Sequence, residues 1–232
     1  MKPWTTKEFW FDRLGEDWAK RLKTLLLSQY TDNLMTTLTN LYSTKEIYPD
    51  KKNVFRTFKD TPFASVRVVI VGQDPYSDGR ATGIPFANEN LPIFYMPSPS
   101  LDRIEDCVHR TIYDSLNFGF DYSLAHWTSQ GVLLLNTAFT VAARTPGSHS
   151  ELWKPFMKKL MAILNEETTG VIFCFWGAEA QEMANFIDQD KHYVLIAAHP
   201  AFAARTGRSW DCIHFQKIND ILYGNTGEKI HW

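Results

Sequence analysis

The sequence predicts an α/β fold of three layers, α/β/α, around a central, mostly parallel four-stranded sheet. Two patterns lead there. Four short runs rich in β-branched or aromatic residues are apolar on both faces, as in strands of a parallel sheet buried on both faces. Between them lie stretches with apolar residues at helical spacing, and strands alternating with helices mean a parallel sheet covered on both sides. The composition agrees. Hydrophobic residues make up 44% and charged residues 22% of 232, with eight Trp, nine Tyr and sixteen Phe, the balance of a globular chain with a dense aromatic core. That length suits one well-buried domain, and the chain is read as a single domain over 1–232.

In chain order, residues 1–45 read as the helical N-terminal part of that domain, with Trp18, Leu22, Leu25 and Leu26 at helical spacing after Gly15. A Pro- and Lys-bearing connector, IYPDKKNVFRTF (47–58), follows. The predicted strands are VRVVIV (66–71), VLLL (132–135), VIFCFW (171–176) and YVLIAA (193–198). The intervening stripes are Leu101, Ile104, Val108 and Ile112, then Trp153, Phe156, Leu160 and Ile163, then Phe215, Ile218 and Leu222.

The strand ends carry the chemistry. After the first comes Gly72-Gln73-Asp74-Pro75-Tyr76; the second ends at Asn136, the third at Trp176-Gly177, the fourth at His199-Pro200. Open parallel sheets bind ligands beyond the carboxyl ends of their strands, so Asp74, Asn136 and His199 are expected in one crevice. An acid, an amide and an imidazole there make a reaction site. Taken singly, each has a structural reading: Asp74 starting a turn before Pro75, Asn136 bonding its own backbone, His199, Tyr76 and Phe86 as core. Together they indicate an enzyme or a small-ligand binder.

Other classes are excluded. GQDPY lacks the spacing of a dinucleotide fingerprint or a P-loop, and no Ser or Cys occupies a nucleophile elbow. No stretch approaches the ~18 apolar residues of a membrane helix, and the acidic, non-apolar N-terminus is not a secretory signal. The three cysteines, Cys107, Cys174 and Cys212, are far apart with no CxxC spacing, so no cysteine metal site is expected. Free thiols fit a reducing, cytoplasmic setting. The formal charge of −2 announces no global basic field. Local cations remain: Arg205 and Arg208 just after His199, with Arg144, His149 and Lys154 near the expected ligand face. Lys158 and Lys159 read rather as a solvated helix face.

VVIVGQDPY (68–76) resembles the water-activating motif of the uracil-DNA glycosylases, and GVLLLNTAFTV (131–141) their uracil-recognition strand. HP and the basic stretch after it (199–208) resemble the family's DNA-intercalation loop, MPSPSL (96–101) its Pro/Ser backbone clamp, and FWGAEAQ (175–181) its Gly-Ser loop. The likeness runs from about residue 14 to 232. It implies hydrolysis of the uracil–deoxyribose bond without metal or other cofactor. Asp74 would orient water and stabilise the cationic sugar, and a neutral His199 would donate to the uracil O2. Gln73 would hold the O2 region, Asn136 would read N3–H and O4, Tyr76 would exclude the thymine methyl, and Phe86 would stack on the flipped base. DNA would be held by Pro97, Ser98, Ser100, Gly177, Ala201, Phe202, Ala203, Arg205 and Arg208. The implied partners are single- or double-stranded uracil-containing DNA and a proteinaceous glycosylase inhibitor; the chain would be a monomer away from membranes.

Departures from the family pattern are specific. Ser77 stands where a His usually follows GQDPY, the segment on to Phe86 is one residue shorter, and Gly-Ser has become Gly177-Ala178. The wedge leucine falls on Ala203, too short to stack between base pairs, leaving Phe202 or Arg205 to replace it from a stiff loop. These changes suggest a divergent branch, and leave a second reading: a DNA-binding accessory protein on the same fold with weak or vestigial glycosylase activity. A generic nucleotide-sugar enzyme is a third, without phosphate-loop support.

Overall fold

The computed structural model describes residues 6–89, 96–113 and 119–232. The N-terminal part is helical: α1 (Lys7–Leu14), α2 (Glu16–Arg21), α3 (Lys23–Leu26) and α4 (Gln29–Thr44). The stripe of Trp18, Leu22 and Leu26 is buried, but it belongs to two short helices that part at Leu22. The stretch 47–58 is more than a connector. It holds strand β1 (Ile47–Tyr48), a 3₁₀ turn and the start of α5 (Arg56–Asp60), and it buries Val54, Phe55 and Phe58.

The main sheet is built from β2 (Val68–Gly72), β3 (Val132–Asn136), β5 (Ile172–Trp176) and β6 (Tyr193–Ala197), ordered β3-β2-β5-β6 and parallel throughout. Between β3 and β5 a short β4 (Val141–Ala142) pairs antiparallel with β1, a small second sheet that no sequence pattern announced. The remaining helices are α6 (Pro99–Val108), which runs on into a π-helical turn at His109–Tyr113, α7 (Ala125–Ser129), α8 (Ser150–Glu167), α9 (Ala178–Gln181), α10 (Pro200–Arg205) and α11 (His214–Thr226).

Strand alternation sends side chains to opposite faces. Val69, Val71, Leu133, Leu135, Phe173 and Phe175 join the aromatic core under α1–α5 and α8. Val68, Ile70, Leu134, Ile172, Cys174 and Trp176 join a second core under α6, α7 and α11. Every tryptophan among the described residues is buried. The fourth strand corrects the expectation of a sheet buried throughout. β6, at one edge of the sheet, leaves Tyr193 and Ile196 exposed, whereas β3 at the other edge is buried throughout.

The register brings the carboxyl ends together. Gly72 of β2 lies opposite Asn136 of β3, and Trp176 of β5 opposite Ala197 of β6. Residues separated by long crossovers in sequence therefore leave the sheet at one level.

Candidate active site

Just beyond those ends is a cavity of about 250 Å³, near the lower limit of small-molecule sites at roughly 300 Å³ and suited to one nucleobase and part of its sugar. Gln73, Asp74, Tyr76, Phe86, Asn136 and His199 all line it, with Ser77, Ser100, Ala201 and Arg205 at its margin.

Asp74 follows β2 and accepts a 2.5 Å hydrogen bond from the Gly147 N–H. Burial raises its pKa above the usual carboxylate value; the Gly147 bond works against that, and the negative charge of Glu179 adds to it. Gly147 sits at φ +77 in the TPGS turn, a glycine conformation. The Pro-Gly pair was visible in sequence as a turn signal, but its aim at Asp74 was not.

His199 caps α10. Its Nδ1 accepts from the Ala201 N–H at 3.1 Å, so the ring proton is assigned to Nε2, leaving a donor for a ligand. Burial, helped by the positive charge of Arg205, lowers its pKa to about 4. The imidazole is neutral at neutral pH, as burial requires.

Asn136 is 5% exposed, yet among the described residues its amide makes no hydrogen bond to the protein. Asn136 lines the cavity, so its amide donors and acceptor are offered to whatever enters it. Gly72 makes room for it: a Cβ there would come within 2.8 Å of the Asn136 oxygen and 2.6 Å of the Phe86 ring. Phe86 is held at φ +66, an outlier for a bulky residue. Its ring is set against Trp176 (5.2 Å between centroids) and His199 (5.8 Å). Gly177 makes a second close approach, since a Cβ there would meet His199 Cβ at 2.9 Å. Tyr76 donates from its phenol to the Phe86 carbonyl at 2.9 Å.

The residues expected to grip DNA divide. Phe202 is 55% exposed, Arg205 is exposed at the cavity, and Arg208 is exposed beyond α10. Ala201 and Pro97 are half-buried, and Gly177 starts α9. Ala203, expected among the DNA-holding residues though too short for a wedge, is buried in the core, on α10, which packs on α6. The stretch expected as a stiff loop is helix to Arg205, and its turn of about 100° per residue buries Ala203 while leaving Phe202 exposed. Ser98 also departs from a clamping role, being 1% exposed with its hydroxyl spent on Tyr76; Ser100 is buried too, though at the cavity wall. His149 is no surface cation. It is buried, its Nδ1 bonded to Thr140 Oγ1 at 2.8 Å, and burial lowers its pKa. Lys154 is engaged with Glu151 and Glu182, and Lys158 sits over Phe186.

A parallel sheet covered on both faces, with an acid, an amide and an imidazole in one pocket at its strand ends, defines an α/β enzyme that takes a small polar ring. Residues 58–223 match the family model of the Uracil DNA glycosylase superfamily, and the chain belongs to that family. It is 37% identical over 226 residues to a uracil-DNA glycosylase of Clostridioides difficile strain 630, covering 94% of this chain and 96% of that one. With that of Chlamydia abortus it shares 38% over 228 residues, 97% of each chain. Among solved structures, a variant of mimivirus UNG in complex with UGI superposes with a TM-score of 0.85 at 25% identity, covering 96% and 90% of the two chains. The UNG of Nitratifractor salsuginis shares the fold at a TM-score of 0.64 and 19% identity.

Proposed function

We propose that the protein is a DNA repair enzyme that hydrolyses the N-glycosidic bond of uracil in DNA and leaves an abasic site. The observation that carries this is the uncommitted Asn136 amide inside a cavity walled by Phe86 and Tyr76, with Asp74 and His199 at its rim. Uracil presents N3–H and O4 to such an amide, which accepts from the first and donates to the second. Cytosine reverses both polarities. The base must leave the duplex to enter, and Phe86 gives it a face on which to stack.

Bond cleavage leaves positive charge on the sugar and negative charge on uracil O2. In this reading the ionised Asp74, aimed by Gly147, stabilises the sugar cation and orients the attacking water. The His199 Nε2–H stabilises the O2 anion without giving up its proton, since an imidazole with a pKa near 4 is preorganised as a neutral donor. Ser77 replaces a second imidazole beside Asp74 and leaves water ordering to Asp74 and the backbone. Phe202, Arg205 and Arg208 face the duplex. Free buried thiols go with a cytoplasmic location, and the same groove would receive a proteinaceous inhibitor on a monomeric enzyme.

The test is an oligonucleotide carrying one uracil, incubated with the protein and EDTA and then treated with alkali. Strand scission at the uracil is expected; an intact strand would leave a DNA-binding accessory role. Asn136→Asp is expected to release some cytosine, because a protonated carboxyl mirrors the amide, and no cytosine release from that variant would remove Asn136 as the base reader.

A further inference from the structure

Ser98 is the first residue before α6, the N-cap position, where a serine hydroxyl ordinarily accepts a hydrogen bond from an N–H in the first turn. Here it makes no such bond. It donates instead to the Tyr76 phenol at 2.5 Å, across 22 residues of sequence. The phenol in turn donates to the Phe86 carbonyl at 2.9 Å. The protons thus run in one direction, from Ser98 to Tyr76 to Phe86.

Ser98 is itself firmly placed. It lies between Pro97 and Pro99, and a residue before proline is confined to extended backbone, as its φ of −58° and ψ of 148° show. Its N–H donates to Asn88 Oδ1 at 2.7 Å. The Asn88 amide donates to the Ala87 carbonyl, and the Asn88 N–H to the Tyr122 carbonyl. Ser98 and Asn88 are buried. The tether on the Tyr76 ring is therefore stiff from end to end.

We propose that Ser98 is a positioning residue for pyrimidine selectivity: its hydroxyl fixes the Tyr76 ring so that the wall of the cavity cannot yield to a substituent at C5. An aromatic wall excludes a methyl group only if it cannot swing aside, and Tyr76 is attached at one end by its backbone and at the other by two hydrogen bonds. Ser98 supplies one and orients the other. The same chain reaches the backbone of Phe86, so base stacking and C5 exclusion share one support. The inference rests on the reading that the chain releases uracil.

The experiment compares kcat/KM for oligonucleotides carrying uracil, 5-bromouracil or thymine, using wild type, Ser98→Ala, Tyr76→Phe and the double variant. Ser98→Ala should lower the preference for uracil over 5-bromouracil or thymine by about fivefold to tenfold, the worth of one net hydrogen bond. Tyr76→Phe, which removes both bonds of the phenol, should lower the preference at least as much, and serves alone if Ser98→Ala does not fold. Adding Ser98→Ala to Tyr76→Phe should change the preference no further, because the bond is already gone. An equal loss on all substrates, an unchanged preference, or additive effects in the double variant would each overturn the role of Ser98. Wild-type protein that releases no uracil would overturn the functional reading and this inference with it, whereas active wild type with an unaltered preference in the variants overturns only the inference.

Discussion

Asp74 and His199 are moved from their ordinary pKa values by the same cause, burial, in opposite directions. The consequences for stability differ in sign. His199 has a folded pKa of about 4, below the usual 6.5, so its contribution is fully present above pH 6.5 and is lost as pH falls toward 4. Asp74, with its pKa raised from 3.8, favours the fold when protonated; that contribution is present below 3.8 and lost as pH rises through the raised value. At neutral pH the ionised Asp74 carboxylate therefore destabilises the protein. Asp74→Asn should lower uracil release by ~10²-fold or more and raise the melting temperature at pH 7, with the difference shrinking in acid. Thermal melts at pH 7 and pH 4 beside a glycosylase assay check both halves, and an asparagine variant that is fully active removes Asp74 from the reaction. His199→Ala should reduce kcat more than it raises KM, since its hydrogen bond strengthens as O2 gains charge; a rise in KM alone would make His199 a binding contact.

Among the elements, α10 sets which side chains stand beside the cavity. Pro200 fixes its first turn, His199 caps it, and its helical period turns Ala203 into the core while leaving Phe202 and Arg205 outside. In the proposed reading, the exposed Phe202, next to the cavity-lining Ala201, fills the gap left by a flipped base. Phe202→Ala and Arg205→Ala should each impair release from double-stranded substrate clearly more than from single-stranded substrate, where opening costs least. Equal losses on both substrates would mean that neither side chain holds the base out. Arg205 acts a second time through its charge on His199, so its loss also relaxes the imidazole toward an ordinary pKa.

Over the whole molecule, 24 Lys and Arg against 26 Asp and Glu give no net positive charge to attract phosphate. Lys154 and Lys158 are already engaged, and Glu179 adds negative charge near Asp74. Binding of uracil-containing DNA should then depend only modestly on salt, with a log–log slope of about −2 to −3 if Arg205, Arg208 and one further cation meet phosphates. Arg205→Ala should make the slope shallower by about one. A wild-type slope several units steeper would point to a more extensive basic surface than these arginines supply.

The sequence by itself determined the class of fold, the strands within a residue or two, and the level at which Asp74, Asn136 and His199 leave the sheet. Those follow from local rules: continuous apolar runs form strands, buried on both faces in all but β6, and parallel strands in register end together. It could not determine which way each side chain turns once the strand has ended. Ala203 and Phe202 are adjacent in sequence, and only the helix that His199 caps sends one inward and one outward. Ser98 resembled a phosphate clamp until the packing of α6 carried its hydroxyl to Tyr76. Gly147 and Gly72 are ordinary turn and strand-end glycines in the sequence, and become an Asp74 donor and a clearance for Phe86 and Asn136 only in three dimensions. Local periodicity encodes burial, whereas hydrogen-bond partners across 22 or 73 residues are chosen by packing that no single segment contains.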